Sequence, residues 1–387
     1  MGNSKRKKSV LIRNWPYRLS LLLFIASILI LILIGITIMY GVSNRGVSPP
    51  ELMGNRPENI KYIESLGEEV RPFSFFVAGD HHIGNYLRLL YSTEIKGSYH
   101  DFGIIVGDIL RKPNLERNDY FLMQFNKWGV DHPIFIVTGN HDVLEGEEKE
   151  ARIKYGNLPN GFGLDDFRSV YGPDNFWFKF SGCLFIGLND IDISAEDGRL
   201  DEYYVEFLED VLEKEARDAR MIFVFMHIPP FTQADHIYRY PTVNSERFAS
   251  LIEEYEVDYV FSGHFHSYLR GAVGKTNYVI SGGGLNKEGG KLKEQSQFHT
   301  MMIYVDPVSG KVHERIYTAC DNNISREWDW IKVTIYSELW PPIKYFSGLE
   351  DLSDKWEVPV ILILFIDLLI FAITGFILFR LRRKGRH

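Results

Sequence analysis

Gly139-Asn140-His141-Asp142 closes an apolar run, residues 133–137, and the reading of that junction decides the fold. A short apolar run ending in polar turn residues reads as a buried strand. Open α/β sheets place their chemistry just beyond the carboxyl ends of such strands. Here an amide, an imidazole and a carboxylate follow one another. They can coordinate a metal, donate a proton and orient the donor.

Working outward, the pattern recurs four times. Residues 73–78 run into Gly79-Asp80-His81-His82, and 102–106 into Gly107-Asp108. Residues 221–226 lead to His227, and 259–261 to Gly263-His264-Phe265-His266. Each cluster alone is weak, since a Gly-Asp pair is usually a turn and a histidine after a strand is usually structural. Five clusters at the ends of separate strands form a set. Asp, His and Asn are ligands that suit Mn, Fe, Zn or Ni, and a preceding glycine lets the backbone turn sharply. Residues i and i+2 of an extended segment share a face, so His264 and His266 can serve neighbouring metals.

Further strand candidates are 176–180, 184–188, 278–280, 301–305 and 312–317. Helical spacing marks Phe121, Phe125 and Trp128; Tyr204, Leu208, Val211 and Leu212; and Phe248, Leu251, Ile252 and Tyr255. The alternation predicts an α/β core. Later strands with little helix between them predict a second, more antiparallel sheet. The acidic run 145–150 and the Gly-rich region 155–172 read as surface loops. Cys183 and Cys320 lack metal-ligand spacing, and Cys183 reads as part of a core strand.

The net charge of -8 conceals a segregation. Six basic residues and no acids precede Leu19, and five more follow Phe379. Setting those eleven aside leaves 32 basic residues against 51 acidic ones. Such a middle is a poor surface for nucleic acid, and no nucleic-acid partner is expected. Residues 19–40 are apolar and, at about 1.5 Å per residue, long enough to cross a bilayer core of roughly 30 Å. An uncleaved anchor is preferred to a secretory signal, because no small-x-small pattern follows Tyr40. Residues 358–379 form a second candidate span. Asp367 lies near its middle, where a carboxylate needs a partner such as Ser27 or Thr37 of the first span.

The expected organisation is a basic cytoplasmic tail (1–18), a transmembrane helix (19–40), a linker (41–71) and a catalytic domain (72–320). An extracytoplasmic connector (321–357), a second transmembrane helix (358–379) and a basic cytoplasmic tail (380–387) complete it. Both basic clusters flank the spans on their terminal sides, so the acidic middle is expected across the membrane. A prokaryotic cell membrane is favoured, with an endomembrane lumen second.

The order Asp80-x-His82, Gly107-Asp108, Gly139-Asn140-His141-Asp142, His227, Gly263-His264-Phe265-His266 resembles the calcineurin-like metallophosphoesterases. The resemblance covers the middle domain and neither span. It implies a four-layer α/β/β/α sandwich, here flanked by two transmembrane helices, with two divalent metal ions at the strand ends. Asp80, His82 and His266 would hold one metal and Asn140, His227 and His264 the other, with Asp108 bridging. His141 would stabilise the transition state or protonate the leaving oxygen, and Asp142 would orient it. A metal-bridging hydroxide would attack a phosphomonoester or phosphodiester, and a lipid-linked phosphate is attractive for an anchored enzyme. The alternative is a catalytically inactive, membrane-anchored metal-binding scaffold.

The segment Val224-Phe225-Met226-His227 and the last motif are similar to the purple acid phosphatase branch. Arg111 stands where that branch has an iron-binding tyrosine, so a divalent pair, with Mn favoured, is expected. His236, Tyr238 and Arg239 are candidate substrate contacts on a loop.

Overall fold

The computed structural model describes residues 15–43, 51–82, 98–110, 115–143, 164–191, 202–230, 245–283, 298–319, 370–371 and 373–378. The chain divides into two compact units, Val47–Val333 and a second formed by Met1–Gly46 with Thr334–His387. Arg111, the 145–150 run, His236, Tyr238, Arg239, Cys320, Asp367, the 321–357 connector and most of the second span lie outside the described residues.

In the larger unit, β1 (Phe73–Ala78), β2 (Phe102–Val106) and β3 (Ile134–Val137) pair in parallel. Their ends at Ala78, Val106 and Val137 therefore share one edge. A second sheet holds β4 (Phe176–Phe180), β5 (Cys183–Gly187), β6 (Ile222–Phe225), β7 (Tyr259–Ser262), β8 (Tyr268–Val273) and β9 (Thr276–Ser281). Its order is β4-β5-β6-β7-β9-β8. The expectation of a more antiparallel second sheet is corrected: β5, β6, β7 and β9 are parallel, and edge strands β4 and β8 run the other way. The last strands, β10 (Phe298–Asp306) and β11 (Lys311–Ala319), return to the first sheet, where β10 pairs antiparallel with β1. Strand β1 is buried throughout and cannot be left as an open edge.

Period-two alternation decides the layers. Phe73, Phe75, Phe102 and Phe135 meet Phe176, Phe178, Phe180, Phe185, Phe223, Phe225 and Phe261 in one aromatic core between the sheets. Phe185 stacks on Phe178 and Phe223, with centroids 5.0 Å away in each case, and meets Phe75 edge-on at 5.6 Å. On the other face of the second sheet, Leu184, Ile186, Ile222 and Val224 pack with residues of two later helices, Glu202–Glu215 and Ser245–Glu254.

Numbered along the chain, the helices are α1 (Trp15–Ser43), α2 (Pro57–Leu66), α3 (Leu115–Trp128), α4 (Asn140–Val143), α5 (Leu164–Tyr171), α6 (Glu202–Glu215) and α7 (Ser245–Glu254). Two of them correct the sequence reading. Residues 51–71 are not a free linker: Met53 bridges to Ile134, α2 packs against the domain with Ile63 fully buried, and Asn55 bonds to β3. The Gly-rich region carries α5, which buries Phe167 and Tyr171.

In the smaller unit, α1 contains a 19-residue stretch, Arg18–Ile36, of mean hydropathy 3.1, and most of that stretch is exposed in the isolated chain. Among the described residues it is the one helix long and apolar enough to cross a membrane. Ser20 and Ser27 are buried on it, and Phe24 between them stacks on Phe371 with centroids 4.8 Å apart. Residues 370–371 and 373–378 are helical, and the Thr374 hydroxyl donates to the Ile370 carbonyl at 2.6 Å.

Candidate metal centre

The ends of β1, β2, β3, β6 and β7 bring all seven predicted ligands together. Ligand atoms of Asp80, His82, Asp108 and His266 lie within 4.8 Å of one another. His266 Nε2 is 3.4 Å from Asp80 Oδ1, and His82 Nε2 is 3.6 Å from Asp108 Oδ2. On the other side, Asn140 Oδ1 lies 3.0 Å from His227 Nε2 and 3.1 Å from His264 Nδ1. Asp108 stands between the groups, with Oδ1 3.3 Å from His227 Nε2.

The backbone is bent to achieve this. Asp80, His82, Asp108, His264 and His266 all adopt positive φ, between 36° and 69°. For non-glycine residues that conformation costs on the order of 1–3 kcal/mol each, and such strain gathers at functional sites. Gly139 permits a close approach: a Cβ there would fall 2.1 Å from the Asp108 amide nitrogen.

The donor atoms fit a cation. The His227 Nδ1–H donates to the Val106 carbonyl at 2.8 Å, which leaves the Nε2 lone pair facing Asn140 Oδ1 and Asp108 Oδ1. Such second-ring hydrogen bonds fix the tautomer of metal-binding histidines. Three lone-pair-bearing atoms converging in a buried space repel unless a positive charge lies among them. Burial opposes charge on His227, yet the Asp108 carboxylate overrides it and lifts its pKa to about 10. Burial likewise works against ionised Asp108, and the His227 and His82 rings hold it well below the usual carboxylate range. The His82 Nε2 is buried and has no hydrogen-bond partner among the described residues.

His141 sits at the mouth. Its side chain is 16% exposed, against 0% for His227, and its Nε2 is 3.9 Å from Asp108 Oδ2. Its backbone N–H donates to Asp108 Oδ1 at 2.9 Å. Asp142 follows His141 in α4 and is buried. Its carboxylate accepts backbone N–H groups from Leu110 at 2.8 Å and Gly139 at 3.0 Å. Burial, then the nearby Asp108, raises its pKa to about 7. His81, given no ligand role, is buried, which lowers its pKa to about 3.

Sequence reading missed Asp190. It lies beyond β5, is fully buried, and accepts the N–H groups of His227 at 3.1 Å and Ile228 at 2.6 Å. Asn189-Asp190 after an apolar strand was the available signal, the same one that marked Gly107-Asp108.

A family profile for calcineurin-like phosphoesterases matches residues 54–268, more than half of the chain. The chain belongs to the calcineurin-like phosphoesterase family. Among curated proteins, this calcineurin-like phosphoesterase is similar to the Bos taurus serine/threonine-protein phosphatase CPPED1, 29% identical over 158 residues, or 39% of this chain and 47% of that protein. The Homo sapiens protein of the same name is 26% identical over 157 residues, covering 38% and 46%. The chain thus spans a little under half the length of these relatives. Similar solved structures include a dimetal phosphatase from Danio rerio (TM-score 0.41, 15% identity, 65% of this chain and 100% of that one). Another is the purple acid phosphatase PPD1 of yellow lupin (TM-score 0.45, 14% identity, 67% and 56%). A third is GAP50 of Plasmodium (TM-score 0.43, 15% identity, 68% and 95%).

Proposed function

We propose that the chain is a membrane-anchored, dinuclear-metal phosphoesterase that hydrolyses a phosphomonoester or phosphodiester. The convergence of Asp80, His82, Asp108, Asn140, His227, His264 and His266 on one buried space carries this reading. In it, Asp80, His82 and His266 would hold one cation and Asn140, His227 and His264 the other, with Asp108 shared between them. Nitrogen and oxygen donors without thiolate favour a divalent pair, with Mn(II) preferred. When bound, the two cations supply positive charge for phosphoryl oxygens and an acidified water as nucleophile.

The chain's own groups do the rest. His141, at the mouth beside Asp108, gives a proton to the departing oxygen. Its position is tied to the bridging carboxylate through its backbone N–H. Asp108 keeps its charge through the His227 and His82 rings, so it can bridge.

For the rest of the molecule, α1 and residues 358–379 form two spans that place both termini in the cytoplasm and the four-layer domain outside. The stacking of Phe24 on Phe371 supports pairing of those segments. Anchoring favours lipid-linked phosphates among the substrates, because a tether raises the encounter rate at a bilayer. The relatives' name adds phosphoproteins to the screen.

The test uses the full chain in detergent, stripped with EDTA, reloaded with Mn(II), and offered phosphomonoesters, phosphodiesters, phosphopeptides and lipid-linked phosphates. Mn-dependent hydrolysis of one class, abolished in Asp108→Asn, is the expected result. Two bound Mn(II) with no turnover of any class would make the protein a metal-binding scaffold.

A further inference from the structure

Two buried carboxylates stand behind the Asn140 side of the centre, outside the cluster of ligand atoms. Asp142 accepts the N–H groups of Leu110 and Gly139, and Asp190 those of His227 and Ile228. Each uses both oxygens, and each is at most 2% exposed. The amides they hold are not incidental. Gly139 precedes Asn140, Leu110 lies two residues beyond Asp108, and His227 is itself a ligand of the proposed centre.

We propose that Asp142 and Asp190 are positioning residues that set the affinity of the Asn140–His227–His264 metal position selectively. This inference rests on the dinuclear reading above. The opposite position does not depend on them in this way. There Asp80 Oδ1 faces His266 Nε2 at 3.4 Å. The amides that Asp142 and Asp190 hold belong to none of Asp80, His82 and His266, whereas Asp80 itself reaches across to accept the His264 N–H at 3.0 Å on each oxygen. An ionised carboxylate is acceptor-only, so each of its oxygens can receive an N–H. Asparagine at either position keeps the shape but offers one oxygen and turns an NH2 toward the other amide. Of two neighbouring backbone N–H groups, one loses its partner, and the loop carrying Asn140 or His227 is free to shift. A ligand shifted by a few tenths of an ångström lowers affinity at its own metal and leaves the other intact. Partners that orient metal ligands typically account for about 10–100-fold in metal affinity.

The experiment titrates the EDTA-stripped full chain in detergent with Mn(II), followed by equilibrium dialysis and electron paramagnetic resonance. The parent is expected to take two Mn(II) and give an exchange-coupled spectrum. Asp142→Asn and Asp190→Asn should bind the first equivalent within about two-fold of the parent, which also reports that the domain is folded. Their second equivalent should weaken about ten-fold or more, with a mononuclear six-line signal persisting at two equivalents. Raising Mn(II) should return the kcat of Asp190→Asn to within a few-fold of the parent. Asp101→Asn is the control. Asp101 is also buried and accepts a backbone N–H, from Ser74, but at the far end of β1. It should lower stability without changing the second Mn(II) affinity.

Variants that bind both equivalents as the parent does overturn the inference while leaving the dinuclear reading standing. Equal weakening of both equivalents, or collapse of the near-ultraviolet circular dichroism, overturns it by making the carboxylates general fold supports. A parent that binds fewer than two Mn(II) overturns the dinuclear reading and the inference with it.

Discussion

His227 carries the electrostatics of the centre at the scale of one side chain. Its pKa is lifted from the usual 6.5 to about 10 because, against the effect of burial, the Asp108 carboxylate draws a proton into the space between them. A folded-state pKa above the unfolded one contributes stability fully below pH 6.5 and loses it as pH rises through about 10. Asp142 and Asp190 act in the same direction. Burial raises both from the usual 3.8 to about 7, so ionising them lowers stability between about pH 4 and 7. In EDTA, the urea midpoint of the protein should therefore fall between pH 6 and pH 10. Saturating Mn(II) should remove most of that fall, because a cation takes the proton's place. A midpoint that rises with pH in EDTA would contradict this account of His227. His141 is a separate matter: His141→Ala should lower kcat about 10²–10⁴-fold with Mn(II) content unchanged, as loss of a general acid does. The residues of the centre were legible because each follows an apolar run, behind a glycine in every case but His227. Asp190 carried a signal after its strand that was passed over, and nothing in the sequence showed that its partners are backbone amides of a distant strand end. Nor could the sequence tell that the carboxylate of Asp142 braces Leu110 and Gly139.

At the scale of strands and helices, the two-residue period of the strands gathers the aromatic core between the sheets. Phe185 meets Phe73, Phe75, Phe102, Phe178, Phe223 and Phe225 and is fully buried. Phe185→Ala should lower the unfolding free energy by about 3–5 kcal/mol, read from urea denaturation. A loss below about 1 kcal/mol would mean that the two sheets do not interlock there. What the alternation could not reveal is β8, whose Tyr268–Val273 run is half-exposed and interrupted by Arg270 and Gly271. Edge strands carry weaker patterns because one face and one edge meet solvent. Residues 51–56 were hidden for another reason. Asn55 does the work of a strand with its side chain, donating to the carbonyls of Ile136 at 2.7 Å and Pro173 at 2.9 Å and accepting the Ile136 N–H at 2.9 Å. No hydrophobic period announces such a partner. Asn55→Leu leaves the Ile136 N–H and carbonyl buried and unpaired, at about 1–3 kcal/mol each. Denaturation of this variant should show at least the lower figure, and an unchanged midpoint would return residues 51–56 to the linker first expected.

At the scale of the molecule, charge and apolarity are segregated along the chain, and that segregation makes a prediction of its own. The eleven basic residues at the two ends face an acidic middle, and Arg18–Ile36 is apolar enough to span a bilayer. Cytoplasmic loops carry the excess of Lys and Arg, so the proposed topology puts Lys5 inside and the phosphoesterase domain outside. Cysteine labelling in intact cells tests it. Tyr99 is 73% exposed, so Tyr99→Cys offers a thiol on the domain surface. Native Cys183 is fully buried and does not compete, and Cys320→Ser removes the other native thiol. A membrane-impermeant maleimide should label Tyr99→Cys in intact cells and Lys5→Cys only after permeabilisation, with both proteins resisting alkaline extraction. The opposite labelling order would place the domain in the cytoplasm. A cleaved secretory signal would leave Lys5→Cys absent from the mature chain and unlabelled in either condition. That last outcome would also loosen the case for lipid-linked substrates, since the encounter advantage at a bilayer depends on α1 remaining attached.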